Sequence, residues 1–136
     1  MRSRGDILNR AEALELWHRV NLGSVLSAAP DLSARQMAIL TTVYMEAGPH
    51  TVRSLAQRLD ITISPVTRAL DTLGRHSLVD RGPDPADKRS VLVHRTAQGS
   101  RFLSDFAERI RIEAQALKTP KLNSSPNSSP NSIKVA

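Results

Sequence analysis

Two short stretches carry the side chains best suited to chemistry on a polyanion. The first, 63–75, sets Val66, Leu70 and Leu73 at i, i+4 and i+7 with Ala69 beside them, the spacing of one inward helical seam. The opposite face of that helix would carry Ser64, Pro65, Thr67, Arg68, Asp71, Thr72 and Arg75. Such a face suits a DNA groove, because Ser and Thr can bond phosphate or either base type and Arg can grip guanine O6/N7 or a phosphate. Pro65 falls in the first turn, where its missing N–H costs little. An ordinary solvated helix face has much the same make-up, so this helix does not decide alone. The second stretch is the loop 82–89, ending Asp87-Lys88-Arg89, between segments 78–81 and 90–95 that read as two strands. A charged hairpin directly after a helix is where a wing would reach an adjacent minor groove, whose negative potential favours Arg. Asp87 stands two residues before Arg89 and could hold its guanidinium by a salt bridge; the plainer alternative is a turn residue.

Several elements must position these groups. Residues 6–28 read as an amphipathic helix with Asp6 as N-cap and Ile7, Leu8, Ala11, Leu14, Trp17, Leu22, Val25 and Leu26 near one stripe. That stripe serves either its own core or a partner subunit. Pro30 ends the helix, and Ser33 with Gln36 has the capping-box spacing for the next. Met37, Ile39, Leu40, Val43, Tyr44 and Ala47 supply its buried face before Gly48-Pro49 closes it. Thr51 caps a short third helix with Val52, Leu55, Ala56 and Leu59 inward; Asp60-Ile61 connects it to the helix capped by Thr62. The interval between Ala56 and Val66 is that of a helix-turn-helix. Thr96 caps a last helix bearing Phe102, Leu103, Phe106, Ile110 and Leu117. The fold class expected is therefore mainly α with a small β-hairpin, a winged helix-turn-helix flanked by N- and C-terminal helices. Residues 1–118 form one such domain, with a reading head at 33–96 and a wing at 78–95. From Thr119 the composition turns to tandem NSSP, a low-complexity tail (119–136) expected to be disordered, whether native or appended.

Bulk composition narrows the classes further. The 136 residues carry nineteen Lys and Arg against thirteen Asp and Glu, a net charge of +6 that favours a polyanionic partner over mere solubility charge. Aromatics make up only 3%, too few for base stacking on single strands or for an aromatic-lined pocket. The absence of Cys removes disulfides, thiol nucleophiles and thiolate metal sites. No apolar run near the N-terminus has signal-peptide or membrane-span length, so a cytoplasmic protein without membrane attachment is expected. No GxSxG elbow, P-loop, HExxH or paired-carboxylate motif is present, and His18, His50, His76 and His94 stand singly without ligand spacing, so neither an enzyme nor a metal or cofactor site is expected. Trp17, His18, Met37 and Tyr44 could line a ligand pocket between the first two helices and the reading head; core filling is the plainer role for them.

These residues resemble the MarR (multiple antibiotic resistance regulator) transcription factors. The likeness runs through Ser54-Leu55-Ala56, Val66-Thr67-Arg68 with Leu70 and Leu73, and Leu78-Val79-Asp80-Arg81. It continues through Pro85-Ala86-Asp87-Lys88-Arg89-Ser90, Val91 and Val93 to Thr96-Ala97-Gln98-Gly99. It spans roughly residues 33–100, and the Asp-Lys-Arg wing followed by Thr-x-x-Gly is its specific part. The resemblance implies a homodimer on a pseudo-palindromic DNA duplex, with the 64–75 helix in a major groove and Arg89 in the flanking minor groove. It also implies a repressor, released by a small phenolic or lipophilic molecule bound between the head and the dimerisation helices. Three departures stand out. Ser77 replaces a usual Gly and would need a less comfortable backbone. Arg95 replaces an apolar residue, weakening the inner face of its strand or adding a phosphate contact. The helix after Thr96 is shorter than usual, in a region that helps the family dimerise. The alternative function is a winged-helix protein-interaction module without specific DNA binding.

Overall fold

The computed structural model describes residues 7–118. In chain order the elements are α1 (Arg10–Leu26), α2 (Ala34–Met45), β1 (His50–Thr51), α3 (Val52–Leu59), α4 (Ile63–Arg75), β2 (Val79–Asp84), β3 (Asp87–Arg95) and α5 (Ala97–Lys118). The expected hairpin is thus part of a three-stranded antiparallel sheet in the order β1-β3-β2. The added strand is two residues long and joins through His50↔Val93 and Thr51↔Leu92, too short to leave any alternation in the sequence.

Caps set the helix starts. Asn9, not Asp6, begins α1: its side chain accepts from the Glu12 N–H while Glu12 reaches back to the Asn9 N–H. Asp6 and the 119–136 tail lie outside the described residues. Ser33 and Gln36 form the expected capping box of α2, and Thr51 with Ser54 forms another at α3. Thr62 does occupy the N-cap position of α4, but its side chain makes no capping bond. Helix α2 ends at Met45, which leaves Ala47 exposed beyond it rather than on the buried face.

One core joins α2, the helix-turn-helix and the base of the hairpin. Ile39, Leu40 and Val43 from α2 meet Leu55 and Ala56 from α3 and the α4 seam of Val66, Ala69, Leu70 and Leu73; Leu78, Val79 and Val93 close it from the sheet. The turn between α3 and α4 is made by Asp60 in the left-handed region (φ 55°), which Asp tolerates better than most residues.

Helix α1 stands apart from this core. It lies along α5, where the Arg19 guanidinium sits 2.7 Å from Glu15 and 3.6 Å from Glu113, and Arg109 donates to the Ser24 hydroxyl at 2.9 Å. Val20 is its one buried residue, whereas Leu14 and Trp17 remain about two-thirds exposed. The apolar stripe read from the sequence does not face this protomer's core.

Candidate nucleic-acid interface

Burial of the α4 seam forces the opposite side of that helix outward. Val66, Leu70 and Leu73 are fully buried, so Ser64 and Arg68 stand exposed near the N-terminal half and Arg75 at the far end. Pro65 is half-buried. Thr67 and Thr72 are half-buried as well, and their hydroxyls donate back along the helix to the Ile63 and Arg68 carbonyls at 3.2 and 3.4 Å. Each hydroxyl keeps acceptor capacity, and Thr72 already accepts from the Arg75 guanidinium at 3.1 Å. Arg68 projects near the middle of this face as a planar guanidinium fork.

The wing is tighter than the sequence suggested. Most of 82–89 is strand, and only Pro85-Ala86 forms the tip, with Asp84 Oδ1 accepting from the Ala86 N–H at 2.9 Å. Opposite it the ladder slips: Pro83 pairs with Val91 but Asp84 pairs with Asp87. Lys88, Arg89 and Ser90 are therefore looped out of register on β3, and such bulges re-aim side chains. Lys88 and Arg89 are both exposed. Asp87 does not grip the Arg89 guanidinium; its Oδ1 accepts from the Arg89 backbone N–H at 3.0 Å, a turn-forming role that holds the bulge instead. Arg81, lower on β2, reaches back to the recognition helix and bonds Asp71 at 2.7 Å. No local pattern in the sequence signals that link, because its two residues lie on different elements.

At the base of the wing, Ser77 has φ 59° and occupies the left-handed position that follows a helix end. The Leu78 N–H donates to Leu73 O and the Ser77 N–H to Gly74 O, both at 2.9 Å, the paired bonds of a Schellman exit. Here Ser does what Gly ordinarily does. Thr96 Oγ1 donates to the Ser77 carbonyl at 2.7 Å and accepts from the Gly99 N–H at 2.9 Å, capping α5. The Tyr44 hydroxyl donates to Leu78 O at 2.8 Å and accepts from the Thr96 N–H at 2.8 Å. Gly99 is needed at this crossing, since a Cβ there would overlap both the Tyr44 hydroxyl and the Leu78 carbonyl.

Arg95, although exposed, turns its guanidinium back onto the end of α2. Its Nε donates to Val43 O at 2.8 Å, at the C-terminus of α2, and its guanidinium lies 5.8 Å from the centre of the Tyr44 ring. The last turn of α2 also faces His50, whose Nε2 is 3.0 Å from Glu46 O. Glu46 itself pairs with Arg58 at 2.7 Å; the hydrogen bond from that guanidinium holds the Glu46 carboxyl below its ordinary value and raises the Arg58 guanidinium in turn.

A cavity of about 410 Å³ opens between α1, α2 and α5. Trp17 and Met37 line it, together with Phe102, Phe106 and Arg109. His18 and Tyr44 do not: His18 is exposed on α1, and Tyr44 is turned to the base of the wing by the bonds just described.

A recognition helix seated on a compact three-helix core, with a cationic wing beside it, defines a winged helix-turn-helix protein. The MarR family model matches residues 32–91. The multiple antibiotic resistance protein MarR of Escherichia coli is 35% identical over 107 residues, covering 74% of this chain and 73% of that protein. Its Salmonella typhimurium counterpart is 32% identical over 116 residues, covering 80% and 79%. The Bacillus subtilis regulator YkoM is 35% identical over 68 residues, which are 50% of this chain but 44% of YkoM, so the chain matches less than half of that relative's length. Among solved structures, a mutant form of S. aureus MepR bound to an oligodeoxyribonucleotide has the same fold, with a TM-score of 0.69 at 22% identity over 85% of this chain and 81% of that one. The chain belongs to the MarR family, and these relatives are transcriptional regulators rather than enzymes. Among the described residues no helix is long and apolar enough to cross a membrane.

Proposed function

We propose that this protein is a sequence-specific double-stranded DNA-binding regulator, a cytoplasmic repressor that acts as a homodimer on a pseudo-palindromic site. The observation that carries this reading is the pairing of two cationic reading elements on one body: Arg68 on the outward face of a helix whose seam is fully buried, and Lys88-Arg89 looped out of the adjacent wing. In this reading Ser64, Pro65, Thr67, Arg68, Thr72 and Arg75 enter a major groove, and Arg89 enters the flanking minor groove with Lys88 on phosphate. Asp87 contributes by shaping the bulge rather than by touching DNA. The exposed apolar residues Leu14, Trp17, Leu22, Val25 and Leu26 of α1 form the face on which the second copy packs. A small phenolic or lipophilic molecule seated between Trp17, Met37, Phe102 and Phe106 releases the operator.

The test begins with a duplex selected by the protein from a randomised pool. Arg68→Ala is expected to relax base preference and Arg89→Ala to weaken binding about tenfold, with a log–log salt slope of about −0.9 per neutralised phosphate. If Arg89→Ala binds as tightly as the parent at physiological salt, the wing assignment is wrong. Failure to select any duplex, with a protein partner captured instead, would favour an interaction module. A thermal-shift panel of salicylate-like compounds tests the cavity, and no shift across the panel counts against a phenolic effector.

A further inference from the structure

We propose that Tyr44 is a positioning residue for DNA reading: its hydroxyl fastens the base of the wing to the exit of the recognition helix and so sets where Arg89 stands relative to Arg68. The inference rests on the DNA-binding function proposed above.

Four elements meet at this one hydroxyl. Tyr44 belongs to α2, which holds no reading residue of its own. Its oxygen donates to Leu78 O, one residue past the Schellman exit of α4, and accepts from the N–H of Thr96, where β3 ends. Thr96 in turn donates to Ser77 O and receives the Gly99 N–H that begins α5. The Tyr44 bonds lie at half-buried depth, where water competes less for them. The Arg81–Asp71 pair also joins wing to helix, but it is solvent-exposed and so carries little on its own.

Leverage explains why such a fastening matters. From Val79↔Arg95 at the base to Asp84↔Asp87 at the tip the ladder advances five residues along β2, about 17 Å at ~3.3 Å per residue. A rotation of roughly 10° at the base would carry the tip about 3 Å, as far as a whole hydrogen-bond length. A side chain that must enter a narrow minor groove while the recognition helix is seated cannot absorb that displacement. Tyr44→Phe keeps the ring and its contact with Arg95 but frees Leu78 O and the Thr96 N–H.

A double-mutant cycle tests this on the full chain, with the duplex selected from a randomised pool as probe and poly(dI-dC) as non-specific competitor. In the parent, Arg89→Ala is expected to cost about tenfold in affinity. In the Tyr44→Phe background the same change is expected to cost less than about twofold, because the wing is no longer delivered to the groove. A purely structural role for Tyr44 lowers Tm but leaves the two effects additive at a temperature well below melting, and additivity would overturn the proposal. Should Tyr44→Phe fail to fold, Thr96→Val removes only the neighbouring hydroxyl, with its bonds to Ser77 O and from the Gly99 N–H, and leaves both Tyr44 bonds to backbone atoms in place. Arg89→Ala is then expected to keep its roughly tenfold cost in that background; a collapse of that cost would assign the fastening to Thr96 and overturn the proposal. If the parent selects no duplex, the DNA-binding reading falls and this inference with it; if the parent binds and the cycle is additive, only this inference falls.

Discussion

Ser77 offers a direct test of how the recognition helix leaves its core. At φ 59° it holds a left-handed backbone that costs a residue with a Cβ about 1–2 kcal/mol. The Schellman bonds from Leu78 and Ser77, and the burial of both Leu73 and Leu78, keep it there. Ser77→Gly removes that cost in the folded state but adds freedom to the unfolded chain worth roughly 0.5–1 kcal/mol. The expected net gain therefore spans about 0–1.5 kcal/mol, centred on about 0.75, and the central value raises Tm by roughly 2–6 °C for a domain of this size. Thermal and urea unfolding should be run at one fixed protein concentration, since assembly shifts apparent stability. Ser77→Ala is the control, because it deletes the hydroxyl and keeps the backbone cost; it should be no more stable than the parent. The reasoning is refuted if Ser77→Gly is less stable than the parent, or if Ser77→Ala gains as much as Ser77→Gly.

Three further outcomes follow from the same region. Gly99→Ala drives a Cβ into the Tyr44 hydroxyl and the Leu78 carbonyl and should destabilise by about 3 kcal/mol or more, seen as a collapse of the urea midpoint; a fully stable variant would mean α5 does not cross there. Arg95→Leu should cost about 1 kcal/mol by uncapping the C-terminus of α2, and equal stability would show that the bond to Val43 O adds nothing. Glu46 has a folded pKa below its ordinary value of 4.5, so its pair with Arg58 contributes fully above that value and is lost as pH falls through the lowered folded value. Carboxyl titration by NMR should show Glu46 returning toward the ordinary value in Arg58→Gln; an unchanged midpoint would assign the shift to another group.

How far these features could be read from the sequence depends on how far apart their causes lie along the chain. The α4 seam is legible because Val66, Leu70 and Leu73 need only helical spacing to declare a face. Ser33 with Gln36 is legible for the same reason, both halves of the box lying within one turn. The bonds that organise the wing are of another kind. Tyr44 reaches Thr96 and Arg95 reaches Val43 across 52 residues, and Thr96 reaches Ser77 across 19. Nothing local in the sequence announces them, so Tyr44 reads as a pocket residue and Arg95 as a misplaced charge. Residue types alone place Asp87 within reach of Arg89; the bulge then decides that it accepts from the backbone instead of the guanidinium.

The same division explains the contrast between the reading head and α1. Every apolar residue of the α4 seam finds its cover within the protomer, where Val66, Leu70 and Leu73 lose all solvent contact. On α1 the apolar residues are not confined to one face, and Leu14, Trp17 and Leu26 keep roughly two-thirds or more of their surface exposed. Helical spacing reports that a face will be covered and is silent on whose atoms cover it. The basic head thus owes its shape to contacts inside one chain, while the apolar side chains of the outer helix stay uncovered among the described residues. In the homodimer proposed above, a second copy would cover that surface, because an isologous contact needs only one patch that complements itself. It would also set two recognition helices about a two-fold axis, the arrangement that a pseudo-palindromic duplex demands of its reader.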